Sequence, residues 1–317
     1  MPTLVTGAGL IGTYTAALLA SQGERVVLYD LAPDAAFVRQ VLSEAPCSLV
    51  AGDVRDLPLL LRTAQQHQVD TIVHSAALIA GRAQDNPYQS HAVNVGGTMN
   101  VAEVARAVNA RRLVYCSTYG VYDMAGCQER PIAEDAPILQ DFDLVYSATK
   151  YAAECLLSAV ARTHALSVVA LRFASVFGFG TFAGGAAGGA AVHALLTTAL
   201  RGAPGPLLPG ASVRNEWLYV KDAAAAVVAA CAAPAVRPYA VYNIGSGALH
   251  SPEQLLDAVR AVVPGAEFEA LSSGLNGVKP PERAQPFDLA AAARDLGYRP
   301  QYPLEVALRD YVAELSP

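Results

Sequence analysis

Tyr146 and Lys150, four residues apart in the stretch VYSATKYAAE (145–154), have the types and spacing to do chemistry. On an α-helix, side chains at i and i+4 share a face roughly 5–6 Å apart. A phenol and an ammonium would then address the same space, and the lysine is one of only three in 317 residues. Tyrosine ionises near pH 10, and bringing that to neutrality takes roughly 3 units, about 4 kcal/mol. A nearby positive charge acts in that direction. Such a pair suits a general base for a secondary alcohol, whose hydroxyl proton must leave as hydride departs. The spacing also fits an ordinary tyrosine and a solvated lysine near a helix start, so the pair needs a cofactor and a scaffold beside it.

The cofactor signal is TGAGLIG (6–12), directly after the first apolar run. Gly7, Gly9 and Gly12 fit G-x-G-x-x-G, with Leu10 and Ile11 opening a helix between them. This pattern gives a tight turn, a backbone free of Cβ, close helix–sheet packing and a helix N-terminus for a pyrophosphate. Asp30 follows at the end of the second candidate strand, where a carboxylate accepts both adenosine ribose hydroxyls and repels a 2′-phosphate. No arginine follows in LAPD, which points to NAD rather than NADP. GDVRD (52–56) supplies Asp53 for the adenine amino group, with Val54 beside it. A strand-end turn is the plain alternative for Asp30, and an Asp-initiated turn for Asp53.

The elements that must position these groups alternate. Candidate strands are TLVT (3–6), RVVLYD (25–30), CSLVAGD (47–53), DTIVHSA (70–76), RLVYCS (112–117) and LSVVALRF (166–173). Helix-like segments such as Ile11–Gln22, Val93–Asn109 and Ala148–His164 lie between them. Nearly all-apolar strands alternating with helices predict an α/β fold: a doubly wound parallel Rossmann sheet covered on both faces. After Phe173 the pattern loosens into a Gly/Ala tract, a Pro-rich turn (202–210), an alanine-rich helix (Asp222–Ala233) and a strand-like YAVYNIG (239–245). The division expected is an NAD-binding domain of residues 1–173 and 214–247, with a smaller interwoven substrate lobe of 174–213 and 248–317.

Composition excludes several classes. A net charge of −6 without any run of Lys and Arg argues against nucleic acid or an anionic membrane as partner. Five scattered cysteines without C-x-x-C suit a reducing cytoplasm, and six histidines without ligand-like spacing predict no metal. The start MPTLVTGAGLIG lacks the features of a signal peptide. Residues 177–200 carry no formal charge and are long enough to span a bilayer, but six glycines, three threonines and His193 favour a glycine-rich loop opening into a helix.

With YCSTYGVYD (115–123) and YSATK (146–150) added to the cofactor motif, the chain resembles the extended short-chain dehydrogenase/reductases, the branch of nucleotide-sugar epimerases and dehydratases. The likeness runs nearly end to end, through NVGGT (94–98), LRFASVFG (171–178), EWLYVKDAA (216–224), YNIGSG (242–247) and RDLGYRP (294–300). The resemblance implies Tyr146 as base and acid, with Lys150 lowering its pKa and holding the nicotinamide ribose. It implies Thr118 as the hydroxyl that bonds the reacting oxygen, with Ser117 the neighbour open to confusion with it. It also implies that Ser75, Ala76, Ala77, Asn94, Cys116 and Phe173 line the nicotinamide half. A helix cap is an equal reading for Asn94. A homodimer through the Tyr-x-x-x-Lys helix and the helix before it is a further implication.

The reaction is narrowed by what is missing. The 4,6-dehydratases of this branch follow the catalytic threonine with Asp-Glu, where Tyr119 and Gly120 stand here. The 3,5-epimerases carry a cysteine where Gly120 stands. A net dehydrogenase and a 4-epimerase working through a transient ketone remain. At the family's diphosphate positions this chain has Ser175 for asparagine, Asn215 for arginine with Arg214 one place away, and Lys279 for arginine, a point charge in place of a planar fork. Arg214, Lys279 and Arg283 would instead suit one carboxylate on a sugar-acid or hydroxy-acid substrate, and SAALIAG, which puts Ile79 on the substrate side, looks more like the small-substrate dehydrogenases of this branch. The dehydrogenase is therefore slightly favoured, acting on a sugar-like small molecule. A non-catalytic NAD-binding sensor is the third reading, and tract 180–190 is a candidate lid.

Overall fold

The computed structural model describes residues 2–180, 187–206, 211–234, 238–269 and 283–315. The strands are β1 (Thr3–Thr6), β2 (Val26–Asp30), β3 (Cys47–Ala51), β4 (Thr71–His74), β5 (Arg112–Thr118), β6 (Val168–Phe173), β7 (Ser175–Phe177), β8 (Trp217–Tyr219) and β9 (Tyr239–Ile244). The helices of the first half are α1 (Leu10–Ser21), α2 (Ala35–Leu42), α3 (Leu57–Gln66), α4 (Ala80–Asp85), α5 (Pro87–Ser90) and α6 (Thr98–Ala107). Those of the second half are α7 (Val145–His164), α8 (Ala187–Leu200), α9 (Val220–Ala232), α10 (Pro252–Val262), α11 (Ala290–Asp295) and α12 (Leu304–Leu315).

Seven strands form one parallel sheet in the order β3-β2-β1-β4-β5-β6-β9. Because side chains alternate along a strand, Leu4, Val27, Ile72 and Leu113 face one layer, packed on α3, α6 and α7. Their neighbours Val5, Leu28, Val73 and Val114 face the other, packed on α1, α2 and α9. Both faces are therefore covered over the middle of the sheet, where β1, β4, β5 and β6 are buried at every position, while the edge strand β3 stays partly exposed. Strand β7 pairs with β8 in a separate parallel pair. Phe177, Trp217 and Tyr219 of that pair build a third core with α8, α10 and α12.

This third core reaches back into the first helices. Tyr14 of α1 and Phe37 of α2 belong to it, and Tyr14 Oη donates to Glu314 of α12 at 2.8 Å. At the opposite end of the sheet, Arg112 Nη1 and Nη2 donate to the carbonyls of Ala230 and Ala233, and Arg111 donates to Cys231. Two adjacent arginines thus satisfy the free carbonyls at the end of α9.

The expected helix over Val93–Asn109 is in fact two elements. A π-helical segment, His91–Gly97, runs straight into α6. Its wider winding turns Asn94 inward. Gly97 allows the close packing, since a Cβ there would meet Val54 Cγ2 at 2.6 Å. The stretch 177–200 ends in α8, and among the described residues no helix is long and apolar enough to cross a membrane. Tract 180–190 lies partly outside the described residues.

His74 at the end of β4 is buried between Thr6 Oγ1, 2.6 Å from Nδ1, and Thr98 Oγ1, 2.9 Å from Nε2. Burial, and then the charge of Lys150, push its pKa down to about 3. The unfolded chain binds a proton here below about 6.5 and the native chain does not, so stability is lost as pH falls from 6.5 toward 3. We expect urea unfolding between pH 6.5 and 4 to show a slope from this residue of about 1.4 kcal/mol per pH unit. Replacing it, His74→Gln, should flatten the curve by that amount.

Candidate active site

The C-terminal ends of β1, β2, β4 and β5 converge on the first glycine turn. Gly7 has φ +94°, a left-handed value that favours glycine. A Cβ on Gly7 would meet Ala76 N at 2.6 Å, and one on Gly12 would overlap the Gly7 carbonyl. Ser75 Oγ braces the turn by donating to the Thr6 carbonyl at 2.9 Å, and Ala76 N donates to the same oxygen. A Cβ on Gly9, by contrast, would meet nothing within 4 Å. Space lies open over the start of α1, where no side chain caps Leu10, Ile11 or Gly12. Free N–H groups and the helix dipole make this a phosphate cradle.

Asp30 Oδ2 accepts from Ala8 N at 2.8 Å and Oδ1 from Ala32 N at 2.9 Å. Each oxygen keeps a lone pair for a hydroxyl beside the cradle. Asp53 is engaged differently. Arg55 of the same GDVRD stretch holds its carboxylate, with Nη2 2.6 Å from Oδ2, and lowers its pKa. Val54 is buried against Gly97. These residues fit a dinucleotide with a free ribose.

On the other side of β4, the helix bearing Tyr146 starts at Val145, three residues before the expected Ala148. Tyr146 therefore lies in the first turn of α7 and Lys150 one turn deeper, 2% exposed. Lys150 Nζ donates to the Cys116 carbonyl at 2.7 Å and lies 4.6 Å from the Tyr115 ring centre and 5.8 Å from that of Tyr146. Thr118, at the end of β5, stands close enough to Tyr146 to act on its phenol, and its own hydroxyl accepts from Gly120 N at 3.2 Å. Ser117 faces the opposite way, donating to Glu154. The two hydroxyls open to confusion in the sequence are thus on opposite sides of β5. Phe173 is buried beside Thr118, its register partner across β5 and β6.

In the chain alone, burial pushes the Tyr146 phenol above its ordinary value, Cys116 adds to this, and Thr118 only partly opposes it. The ammonium bonds a backbone carbonyl instead of the phenol, so desolvation wins. Burial also lowers Lys150 to about 8, against the opposing pull of Cys116 and Glu154.

Asn94 neither caps a helix nor presents a free amide. Its Oδ1 accepts from Leu78 N at 2.7 Å, and Nδ2 donates to the Leu78 carbonyl and Thr149 Oγ1. It ties the loop holding Ala77 and Ile79, both half-buried, to α7.

The expected substrate residues divide. Ser175 Oγ donates to Asn215 Oδ1 at 2.9 Å, so two of the altered diphosphate positions bond each other. Arg214 is exposed, and Lys279 lies outside the described residues. Arg283 is buried and paired to Glu216 at 2.9 Å, its guanidinium 5.1 Å from the ring of Tyr119, the neighbour of Thr118. Among the described residues its Nε and Nη1 find no hydrogen-bond partner. Glu216 also accepts from Gly247 N and Phe287 N. The sequence reading passed over Glu154 and Glu216. Glu154 stands one further helical turn along from Lys150, a spacing that would have marked it.

A family model described as the NAD dependent epimerase/dehydratase family matches residues 3–245. The chain belongs to that family. This family member is 33% identical over 187 residues to UDP-glucuronate 4-epimerase 6 of Arabidopsis thaliana, a match covering 56% of the chain and 40% of that relative's length. It is 28% identical to UDP-glucose 4-epimerase of Neisseria gonorrhoeae, covering 95% of the chain and 91% of the relative. The crystal structure of UDP-glucose-4-epimerase from Stenotrophomonas maltophila, with bound NAD and formylated UDP-arabinopyranose, superposes with TM-score 0.86 at 25% identity, covering 99% and 97% of the two chains. The doubly wound sheet and the NAD cofactor expected from the sequence both hold for this family member.

Proposed function

We propose that this chain oxidises a secondary hydroxyl of a nucleotide sugar and returns the hydride to the other face, a 4-epimerase type of turnover. The observation that carries the alcohol chemistry is Tyr146 in the first turn of α7 with Lys150 Nζ 5.8 Å from its ring centre, at the sheet end that also carries Thr118 and the glycine cradle. NAD, when bound, supplies a hydride-accepting ring and its positive charge. The chain's own groups do the rest. Gly7, Gly9, Leu10, Ile11 and Gly12 hold the pyrophosphate, and Asp30 holds the adenosine ribose. Thr118 orients the reacting oxygen. Tyr146 takes the hydroxyl proton through its phenol oxygen and gives it back when the ketone is reduced. The raised phenol pKa makes the free protein poised as an acid, and it becomes a base only when further positive charge enters the site.

The likeness to UDP-sugar 4-epimerases along nearly the whole chain supports the nucleotide-sugar reading. One observation favours the net dehydrogenase as a second reading. Ser175 and Asn215 are spent on each other at the diphosphate positions, while among the described residues Arg283 Nε and Nη1 have no partner and stand near Tyr119, where a carboxylate would meet them. A thermal-shift titration of the NAD-saturated protein with UDP, dTDP and GDP separates the two. We expect UDP to raise the melting temperature by several degrees, as binding to the native state alone requires. If no nucleotide stabilises the chain while NAD still does, sugar acids assayed for NADH release become the substrates to try. A homodimer is part of the same proposal, since α7 leaves Leu156 40% exposed beside the exposed Cys155.

A further inference from the structure

Two consecutive residues of β5 each hold one residue of α7. The Cys116 carbonyl accepts from Lys150, and Ser117 Oγ donates to Glu154 at 2.5 Å. Their helical partners, 150 and 154, share a single stripe along the helix with Tyr146. Glu154 is 3% exposed, and it also accepts from Arg172 of β6, with Nη2 at 2.7 Å and Nε at 3.1 Å. The alcohol chemistry proposed above makes no use of it.

The charges around Lys150 give this carboxylate its meaning. His74 faces the ammonium from β4, Tyr115 and Cys116 face it from β5, and Tyr146 and Glu154 from its own helix. Behind Glu154 stand Arg172 and, from β9, Tyr239. Burial keeps His74 neutral and holds Tyr115, Cys116, Tyr146 and Tyr239 protonated. Of these groups Glu154 alone is a carboxylic acid, and Arg172 pairs with its carboxylate at 2.7 Å. A buried ammonium without a nearby anion sheds its proton.

We propose that Glu154 is a positioning residue: it fixes the register of α7 on β5 and supplies the negative charge that keeps Lys150 an ammonium. Its catalytic meaning rests on the function proposed above, but the test reads Lys150 directly and does not depend on turnover.

The chain's three lysines, Lys150, Lys221 and Lys279, can be titrated one by one by NMR of the full chain labelled at the lysine ε-carbons. The Lys150 signal is assigned by its loss in Lys150→Arg. In the natural chain it should titrate at about 8. Glu154→Gln keeps an acceptor for Ser117 and removes the charge, and should lower that midpoint by about one to two units. Ser117→Ala, which loses the hydrogen bond and keeps the charge, should leave the midpoint in place. Should Glu154→Gln fail to fold around an unpaired Arg172, the double variant Glu154→Gln/Arg172→Met removes both buried charges and should still lower the midpoint. A folded variant without the Glu154 charge whose Lys150 titrates as in the natural chain overturns the proposal. So does a fall in Ser117→Ala as large as in Glu154→Gln, because register alone would then account for it.

Discussion

Tyr146→Phe should abolish turnover, by about a thousandfold or more, and leave NAD binding and thermal stability close to those of the natural chain. Proton transfer by a positioned side chain contributes typically 10²–10⁴-fold, and the substitution removes the one oxygen able to do it beside Thr118. The ring itself stays, packed over Lys150. The measurement is steady-state and single-turnover rates on the nucleotide sugar that the thermal-shift panel selects, with NAD affinity determined in parallel. A variant that binds NAD and turns over undiminished would return the non-catalytic sensor to first place.

The second large effect separates two glycines of one motif. Gly12→Ala drives a Cβ into the Gly7 carbonyl and to 2.8 Å from Ser75 Oγ. Both neighbours are backbone or braced by it, so the clash cannot relax by a side-chain rotation. We expect a loss of about 3 kcal/mol, the upper range for overpacking, and no measurable NAD binding. Gly9→Ala is the contrast. Its Cβ meets no protein atom within 4 Å and its φ of −79° suits alanine, so the free protein should melt as before. The methyl group would stand where the pyrophosphate approaches, and the Kd for NAD should rise at least about tenfold, 1.4 kcal/mol. Melting curves with and without NAD for both variants check the pair. A Gly9→Ala protein that binds NAD normally would exclude the cradle over α1 as the cofactor site.

Much of the sheet was legible because its strands are short, apolar and bounded by turn residues. TLVT is β1 without change, and the other five early strands differ from their expected bounds by three residues or fewer at either end. The glycine turn and Asp30 were legible because each answers to a local backbone demand. What escaped were long-range matters. The close packing at Gly97 involves Val54, over forty residues away, and no local periodicity records it. The direction of the Tyr146 shift depends on how deeply β5 and α7 bury the phenol, which a four-residue spacing does not contain. Ser117 and Thr118 were distinguishable only in principle, since alternation along β5 separates them once the strand's facing is known. The commitment of Arg283 to Glu216 joins positions 67 apart and was invisible for the same reason.

The ties between α1 and the last helices have a consequence for how the chain acquires its structure. Tyr14 bonds Glu314 across 300 residues, and Arg112 closes on Ala233 across 121. The nucleotide-binding half is therefore not finished when its first six strands have left the ribosome. Its outer face waits for α9, and its first helix waits for α12. Contacts of such sequence separation slow folding, because the entropy of closing the loop is spent before the contact forms. During synthesis the emerging sheet exposes apolar surface on the α1 side until the final turns arrive. A chain truncated before Leu304, the start of α12, should accumulate as an aggregation-prone intermediate rather than as a smaller, working NAD-binding domain.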